Sequence, residues 1–283
     1  VISVLQLGTL DYATGLCLQQ RLVDLRKDGR IGDVILLLEH SPVITLGRNG
    51  KQKNIVASPE HLAQRGVEIF ECDRGGDVTF HGPGQLVGYP IFDLRQIAIA
   101  TTDGKRKTLG AVDYVRRLEE VLIRTCAGFG IPTARICGLT GVWTAPSSRT
   151  EKNNSLANCS AESRDPLSPE AKIAAIGVHI SRAVTSHGFA LNVNTDLDYF
   201  NLIIPCGITS KPVTSMEKEL GRQLPLQDVA HSISRNFGLV FESPMLWLES
   251  LDALLGNSVG VPLKTPEPLR QLRKQKEEDI FRV

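Results

Sequence analysis

Residues 74–85 read RGGDVTFHGPGQ, within the densest glycine cluster of the chain, residues 74–88. Gly75 and Gly76 let the backbone take positive φ and come close to a neighbour or ligand, and Gly82-Pro83-Gly84 forces a second turn. Residues 77–81 between the turns fit an extended segment with Val78 and Phe80 on one face and Asp77 and Thr79 on the other. Such a strand either walls a narrow slot or belongs to an ordinary hairpin.

Outward from this cluster the chain mixes strands and helices. Residues 1–7 alternate like a strand, and residues 11–27 fit a helix with Asp11 as its cap and Gly29 as its stop. The run DVILLLE over 33–39 is a short buried strand bounded by Gly32 and the Ser41-Pro42 turn, and 67–72 is a further strand. Val112, Val115, Leu118, Leu122 and Cys126 recur at three- and four-residue steps, which predicts a helix over 111–127. Strands are expected at 133–136, 141–144, 172–181 and 188–193, and a helix from Pro225 through Val229 and Ile233 to about Gly238. Without the strict alternation of a doubly wound sheet, the order predicts an α/β (α+β) fold, a mixed sheet flanked by helices.

Residues 145–171 are rich in serine, asparagine and proline and hold few large aliphatics. They cannot bury enough apolar area to offset their ordering entropy, so a mobile loop is expected there. Residues 245–256, MLWLESLDALLG, read as a short apolar helix before a charged tail over 264–283, which is either a solvated helix or a partner-docking element.

At 283 residues the chain has room for one large domain or two small ones. Its 32 Lys+Arg against 31 Asp+Glu, net charge +1, argue against nucleic acid as a partner. No apolar run approaches the roughly 20 residues a membrane helix needs, and no secretory signal opens the chain, so no membrane is expected. Cysteines stand at 17, 72, 126, 137, 159 and 206 with no C-x-x-C and no Cys/His cluster, which points to reduced thiols and no metal. The phosphate-loop, dinucleotide, H-E-x-x-H and G-x-S-x-G motifs are all missing, so no cofactor is expected.

Three further features carry chemical interest. Lys172 opens KIAAIGVHISR, where the small Ala174, Ala175 and Gly177 allow close approach to the strand. Gly188-Phe189-Ala190 brings small residues to a second strand. Cys206, between Pro205 and Gly207 where a strand ends, either packs as a small hydrophobe or acts as a nucleophile. A nucleophilic role requires a neighbouring cation or helix N-terminus to lower its pKa. Lys172 is a candidate cation, though sequence spacing does not bring the two together.

In combination, RGGDVTFHGPGQLVGYPIFDL, KIAAIGVHISR and HGFALNVNTDLDYFNLIIPCGI resemble the octanoyltransferases of lipoate biosynthesis, over about residues 1–241. The resemblance implies a mixed α/β fold shared with the catalytic domains of lipoate and biotin protein ligases. It places the domain over 1–241 with the insertion at 145–171, followed by the helix and tail over 242–283. It puts the nucleophile on Cys206 and its partner lysine on Lys172. The acyl pocket falls on Arg74, Gly75, Gly76, Asp77, Val78, Thr79, Phe80 and His81, with Ala175, Ile176, Gly177, Gly188, Phe189 and Ala190 as further lining. Phe80 stands where the family often has Tyr, and His179 where it often has Arg.

The implied chemistry moves octanoyl from octanoyl-acyl carrier protein through a Cys206 thioester to a lysine of a lipoyl domain, with Lys172 as general acid and base. Thioester exchange followed by amide formation is downhill, so no ATP is needed. The implied acceptors are the lipoyl domains of 2-oxoacid dehydrogenase E2 subunits and the glycine cleavage H protein. Arg48, Lys51, Lys53, Arg182 and Lys211 are candidate contacts for an acidic carrier. The implied location is the cytoplasm, or the mitochondrial matrix in a eukaryote. An ATP-dependent lipoate ligase, a lipoyl/octanoyl amidotransferase and a non-catalytic acyl-binding module are the competing readings.

Overall fold

The computed structural model describes residues 1–100, 106–145, 170–205 and 211–256. Cys206 and Gly207, the interior of the polar insertion and the charged tail lie outside these residues.

The chain opens with β1 (Ile2–Leu10) and α1 (Tyr12–Lys27), joined at Asp11, whose carboxylate accepts from Thr14 N–H at 2.9 Å and satisfies a free donor of the first turn. There follow β2 (Asp33–His40), β3 (Val43–Leu46), α2 (Pro59–Gln64), β4 (Glu68–Glu71), β5 (Val78–His81) and β6 (Gln85–Ile91). The small hairpin β7 (Ala98–Ala100) and β8 (Arg106–Thr108) leads to α3 (Ala111–Gly128), β9 (Thr133–Ile136) and β10 (Leu139–Thr144). The hairpin β11 (Lys172–Ser181) and β12 (Val184–Asn192) precedes α4 (Met216–Leu220), α5 (Leu226–Phe241), β13 (Met245–Leu248) and α6 (Leu251–Gly256).

Among the described residues eight strands form one sheet in the order β13-β1-β2-β6-β12-β11-β10-β9. β1 pairs in parallel with β13 and β2, whereas β2–β6, β6–β12 and β12–β11 are antiparallel, so the sheet is mixed as expected. The continuous apolar run of β2 follows from burial on both faces. Val34, Leu36 and Leu38 pack with Leu18, Leu22 and Leu25 of α1, while Ile35 and Leu37 join the core under α3 and α5. The smaller sheet β4-β3-β5 has its own core, where Ile44, Leu46, Val78 and Phe80 meet Leu62 and Leu202.

Several elements depart from the expectation. β6 enters the end of the glycine cluster, where Gly88 and Pro90 look like breakers, although a Cβ at Gly88 would strike the Phe189 ring of the neighbouring strand. A Cβ at Gly188 would strike the carbonyl oxygen of Gly88 and the Pro90 ring, so the two backbones are seated closer than side chains permit. β3 is four residues long and follows the Ser41-Pro42 turn directly, too short to show a period. Residues 245–256 are not one helix: Met245–Leu248 is an edge strand whose pairing with β1 carries the sheet past residue 241, and only Leu251–Gly256 is helical. α5 also continues one turn beyond Gly238, ending at Glu242 in the left-handed conformation.

Candidate active site

On the α1 face of the large sheet a cavity of about 400 Å³ opens between β11–β12 and the loops of the small sheet. Its floor is made by parity. Ala175 lies opposite Ala190 and Gly177 opposite Gly188 in the β11–β12 register, so four small residues face the same side and leave room. Tyr12, Val87 and Tyr89 are the buried end, whereas Asn49, Lys51, Gly138 and Thr140 form the exposed rim.

The glycine motif makes the opposite wall. Arg74, Gly75, Gly76, Asp77, Thr79 and His81 line the cavity, as do Lys172, Ala175, Ile176, Gly177, Gly188, Phe189 and Ala190. Val78 and Phe80 do not: they are the other face of β5 and sit in the small sheet's core, with Phe80 stacked on Tyr199 at 4.6 Å. Sequence reasoning missed Tyr12, Asn49, Val87, Tyr89, Gly138, Leu139, Thr140 and His187, all of which reach the cavity, as does Lys51, expected only as a carrier contact. For His187 a signal exists in its place beside Gly188. The others come from elements whose placement has no local signature.

Arg74 is the hub of the glycine loop. Its guanidinium is buried and donates to the Thr45 carbonyl at 2.7 Å, the Thr45 hydroxyl at 2.9 Å, the Asp77 carbonyl at 2.7 Å and the Gly75 carbonyl at 3.1 Å. Asp77 holds the next segment by accepting from the backbone N–H groups of Lys51 and Val78 and from Asn54 Nδ2. Gly75 N–H donates to the Val178 carbonyl at 3.0 Å, which seats the loop on β11. A Cβ at Gly177 would lie 2.6 Å from the Gly75 oxygen, so only glycine fits under the loop.

Burial disfavours the charged form of three imidazoles at the site. Burial pushes His81 down to about 3, helped by the nearby His40 and Arg74. Its Nδ1–H donates to Gln85 Oε1 at 2.7 Å. Burial lowers His40 to about 4; its Nδ1–H donates to the Leu10 carbonyl, which leaves Nε2 to accept from the Tyr89 hydroxyl at 2.6 Å. His187 is also lowered, again by burial, against the pull of Asp73. Burial would raise the Asp73 carboxyl, but the hydrogen bond from His187 and the His187 and His179 charges outweigh it and hold it low.

Lys172 is buried at the start of β11, its Nζ 4.7 Å from the centre of the Trp143 ring. Its backbone N–H donates to the Pro212 carbonyl at 2.8 Å, and its carbonyl accepts from Thr214 N–H at 2.9 Å. Cys17, Cys72 and Cys126 are free thiols, and burial pushes Cys126 up to about 12. Among the described residues no cluster of three or more His, Cys, Asp or Glu is arranged to hold a metal ion, and no helix is long and apolar enough to cross a membrane.

A small-residue floor, a glycine loop pinned by a buried arginine and a lysine at the wall define a class. The family model of the lipoyl protein ligase A/B catalytic domain matches residues 11–238. The fold is shared with a bipartite lipoate protein ligase from Thermoplasma acidophilum, at TM-score 0.65 and 13% identity over 98% of this chain and 92% of that one. Closer in sequence are the octanoyltransferases of Koribacter versatilis, 60% identical over 97% of this chain and 98% of the relative, and of Acidobacterium capsulatum, 56% identical over 90% and 96%. The chain belongs to the lipoyl protein ligase A/B catalytic family, on its octanoyltransferase branch. It is an acyltransferase whose chemistry is octanoyl transfer for protein lipoylation.

Proposed function

We propose that this cavity holds the octanoyl chain while Cys206 and Lys172 transfer it from octanoyl-acyl carrier protein to a lipoyl-domain lysine. The Cys206 thiolate attacks the thioester carbonyl, the carrier's thiol leaves with a proton from Lys172, and an octanoyl-enzyme thioester remains. The ε-amine of the acceptor lysine then attacks, Lys172 takes its proton, and the Cys206 thiolate is regenerated as the amide forms. The backbone N–H groups of Gly76 and Asp77, which no described acceptor takes up, are suited to stabilise the oxyanion. The acceptors are lipoyl domains, those of 2-oxoacid dehydrogenase E2 subunits and the H protein, and the setting is the cytoplasm.

The observation that carries this reading is the anchoring of the chain on both sides of residues 206–210. Before them, Ile204 N–H donates to the carbonyl of Asn54, whose side chain holds Asp77 of the cavity wall. After them, Pro212 and Thr214 bracket the backbone of Lys172. Lys51 at the rim and the exposed Arg48, Lys53 and Arg182 suit an acidic carrier, whereas Lys211 pairs with Glu170 at 2.6 Å.

Intact mass after incubation with octanoyl-acyl carrier protein tests the mechanism. Active protein should gain one octanoyl group in place of one hydrogen, and Cys206→Ser should gain none. Active wild-type protein that never carries the adduct would rule the covalent route out.

A further inference from the structure

The glycine motif ends at Gln85, to which the proposed chemistry assigns nothing. Gln85 is 2% exposed, and its amide is fully engaged. Oε1 accepts from His81 Nδ1–H at 2.7 Å, and Nε2 donates to the Phe80 carbonyl at 3.1 Å and to Asn192 Oδ1 at 2.8 Å. Asn192, the last residue of β12 and also buried, donates from Nδ2 to the Thr214 carbonyl at 2.9 Å. Thr214 N–H then donates to the Lys172 carbonyl.

The direction of this chain of bonds is set at both ends. A carbonyl accepts only, so the Phe80 oxygen requires the nitrogen of Gln85 and the Thr214 oxygen requires the nitrogen of Asn192. The two amides then meet in the one orientation that remains. β12 is already held by its ladders to β6 and β11, so sheet pairing does not need the side chains. Residues 212–214 are different: among the described residues they meet the sheet through the bridge of Val213 to Lys172, the two backbone bonds around it and Asn192.

We propose that Gln85 and Asn192 are positioning residues for acyl transfer, a buried amide pair that fixes the backbone around Lys172 relative to the His81 wall of the cavity. The inference rests on the reading of Lys172 as the proton-handling residue. In a water-poor interior, removal of one partner leaves the next donor or acceptor unsatisfied, and the slack falls on the weakly held segment 212–214. A displacement of about 1 Å at a reacting group costs about 100-fold in rate.

The test is steady-state octanoyl transfer by the full chain from octanoyl-acyl carrier protein to a lipoyl domain, in wild type, Asn192→Ala, Lys172→Ala and the double variant. Asn192→Ala should lower kcat about 10- to 100-fold with KM within about two-fold, the signature of a lost alignment rather than lost binding. In the Lys172→Ala background the same change should cost less than about two-fold more, because the two act as a unit. Independent, multiplying losses would overturn the relay while leaving Lys172 in its role. An unimpaired Lys172→Ala would instead overturn the reading of Lys172 and the relay with it. Should Asn192→Ala fail to fold, Gln85→Glu is read in the same cycle: it keeps the acceptor for His81 and removes both donated bonds.

Discussion

His187 donates from Nε2 to Asp73 Oδ1 at 2.7 Å, joining β12 to the residue that precedes the glycine loop. His187 holds a φ of 55°, uncommon for a residue with a side chain, with its N–H bound to Gln19 Oε1 at 2.8 Å. Asp73 also faces His179 Nε2 at 3.5 Å, and Arg48 donates to His179 Nδ1 at 2.6 Å. One carboxylate thus clasps both floor strands to the loop that roofs them.

Loss of the clasp should loosen the cavity wall rather than unfold the protein. Asp73→Ala, and His187→Asn, which tolerates the positive φ, should each lower kcat/KM by about 10-fold, and the double variant by little more. Multiplying losses in the same assay would show that the two residues act separately.

Gly177→Ala should push the Gly75 carbonyl away from β11, since the added Cβ would lie 2.6 Å from it. Activity should fall by about 10-fold or more while the thermal midpoint moves by only a few degrees. Full activity in Gly177→Ala would mean that the loop is free to shift without consequence.

Acid should destabilise the fold well above the carboxylate range. His40 and His81 titrate at about 4 and about 3 in the native state because burial disfavours their charge. The unfolded chain takes up these protons first, near pH 6.5, so stability is lost as pH falls from about 6.5 toward 4, by about 1.4 kcal/mol per pH unit for each group. Denaturant unfolding across that window should show the slope, and His40→Gln should make it shallower; an identical slope in the variant would assign the loss to other groups.

Phe237→Ala should be the most damaging core truncation. Phe237 is fully buried on α5 and meets Phe92, Phe189 and Phe241 at ring distances of 5.4–6.1 Å. A loss of about 3–5 kcal/mol is expected by chemical denaturation. A loss under about 1 kcal/mol would mean that the neighbouring rings collapse into the space.

Several elements were legible because their signals are local. Asp11 as cap, the three- and four-residue steps of α3 and the apolar run of β2 each reflect one element meeting a core. The alternation of Asp77 to His81 placed Val78 and Phe80 opposite Thr79, as the structure has them, yet the family resemblance put both faces in the pocket. β6 and β13 escaped because an interior glycine and proline, or four apolar residues before a helix, make sense only beside the strands they pair with.

By itself the sequence determined the mixed α/β class, the glycine motif and the candidate residues Lys172 and Cys206, since periodicity and residue type act over a few positions. Only the tertiary structure decided that Ala175, Gly177, Gly188 and Ala190 share one floor, that Asp73 reaches His187, and that Gln85 meets Asn192. Those contacts join residues from eleven to more than a hundred positions apart, set by strand register and sheet order, and register is a property of the paired strands rather than of either one.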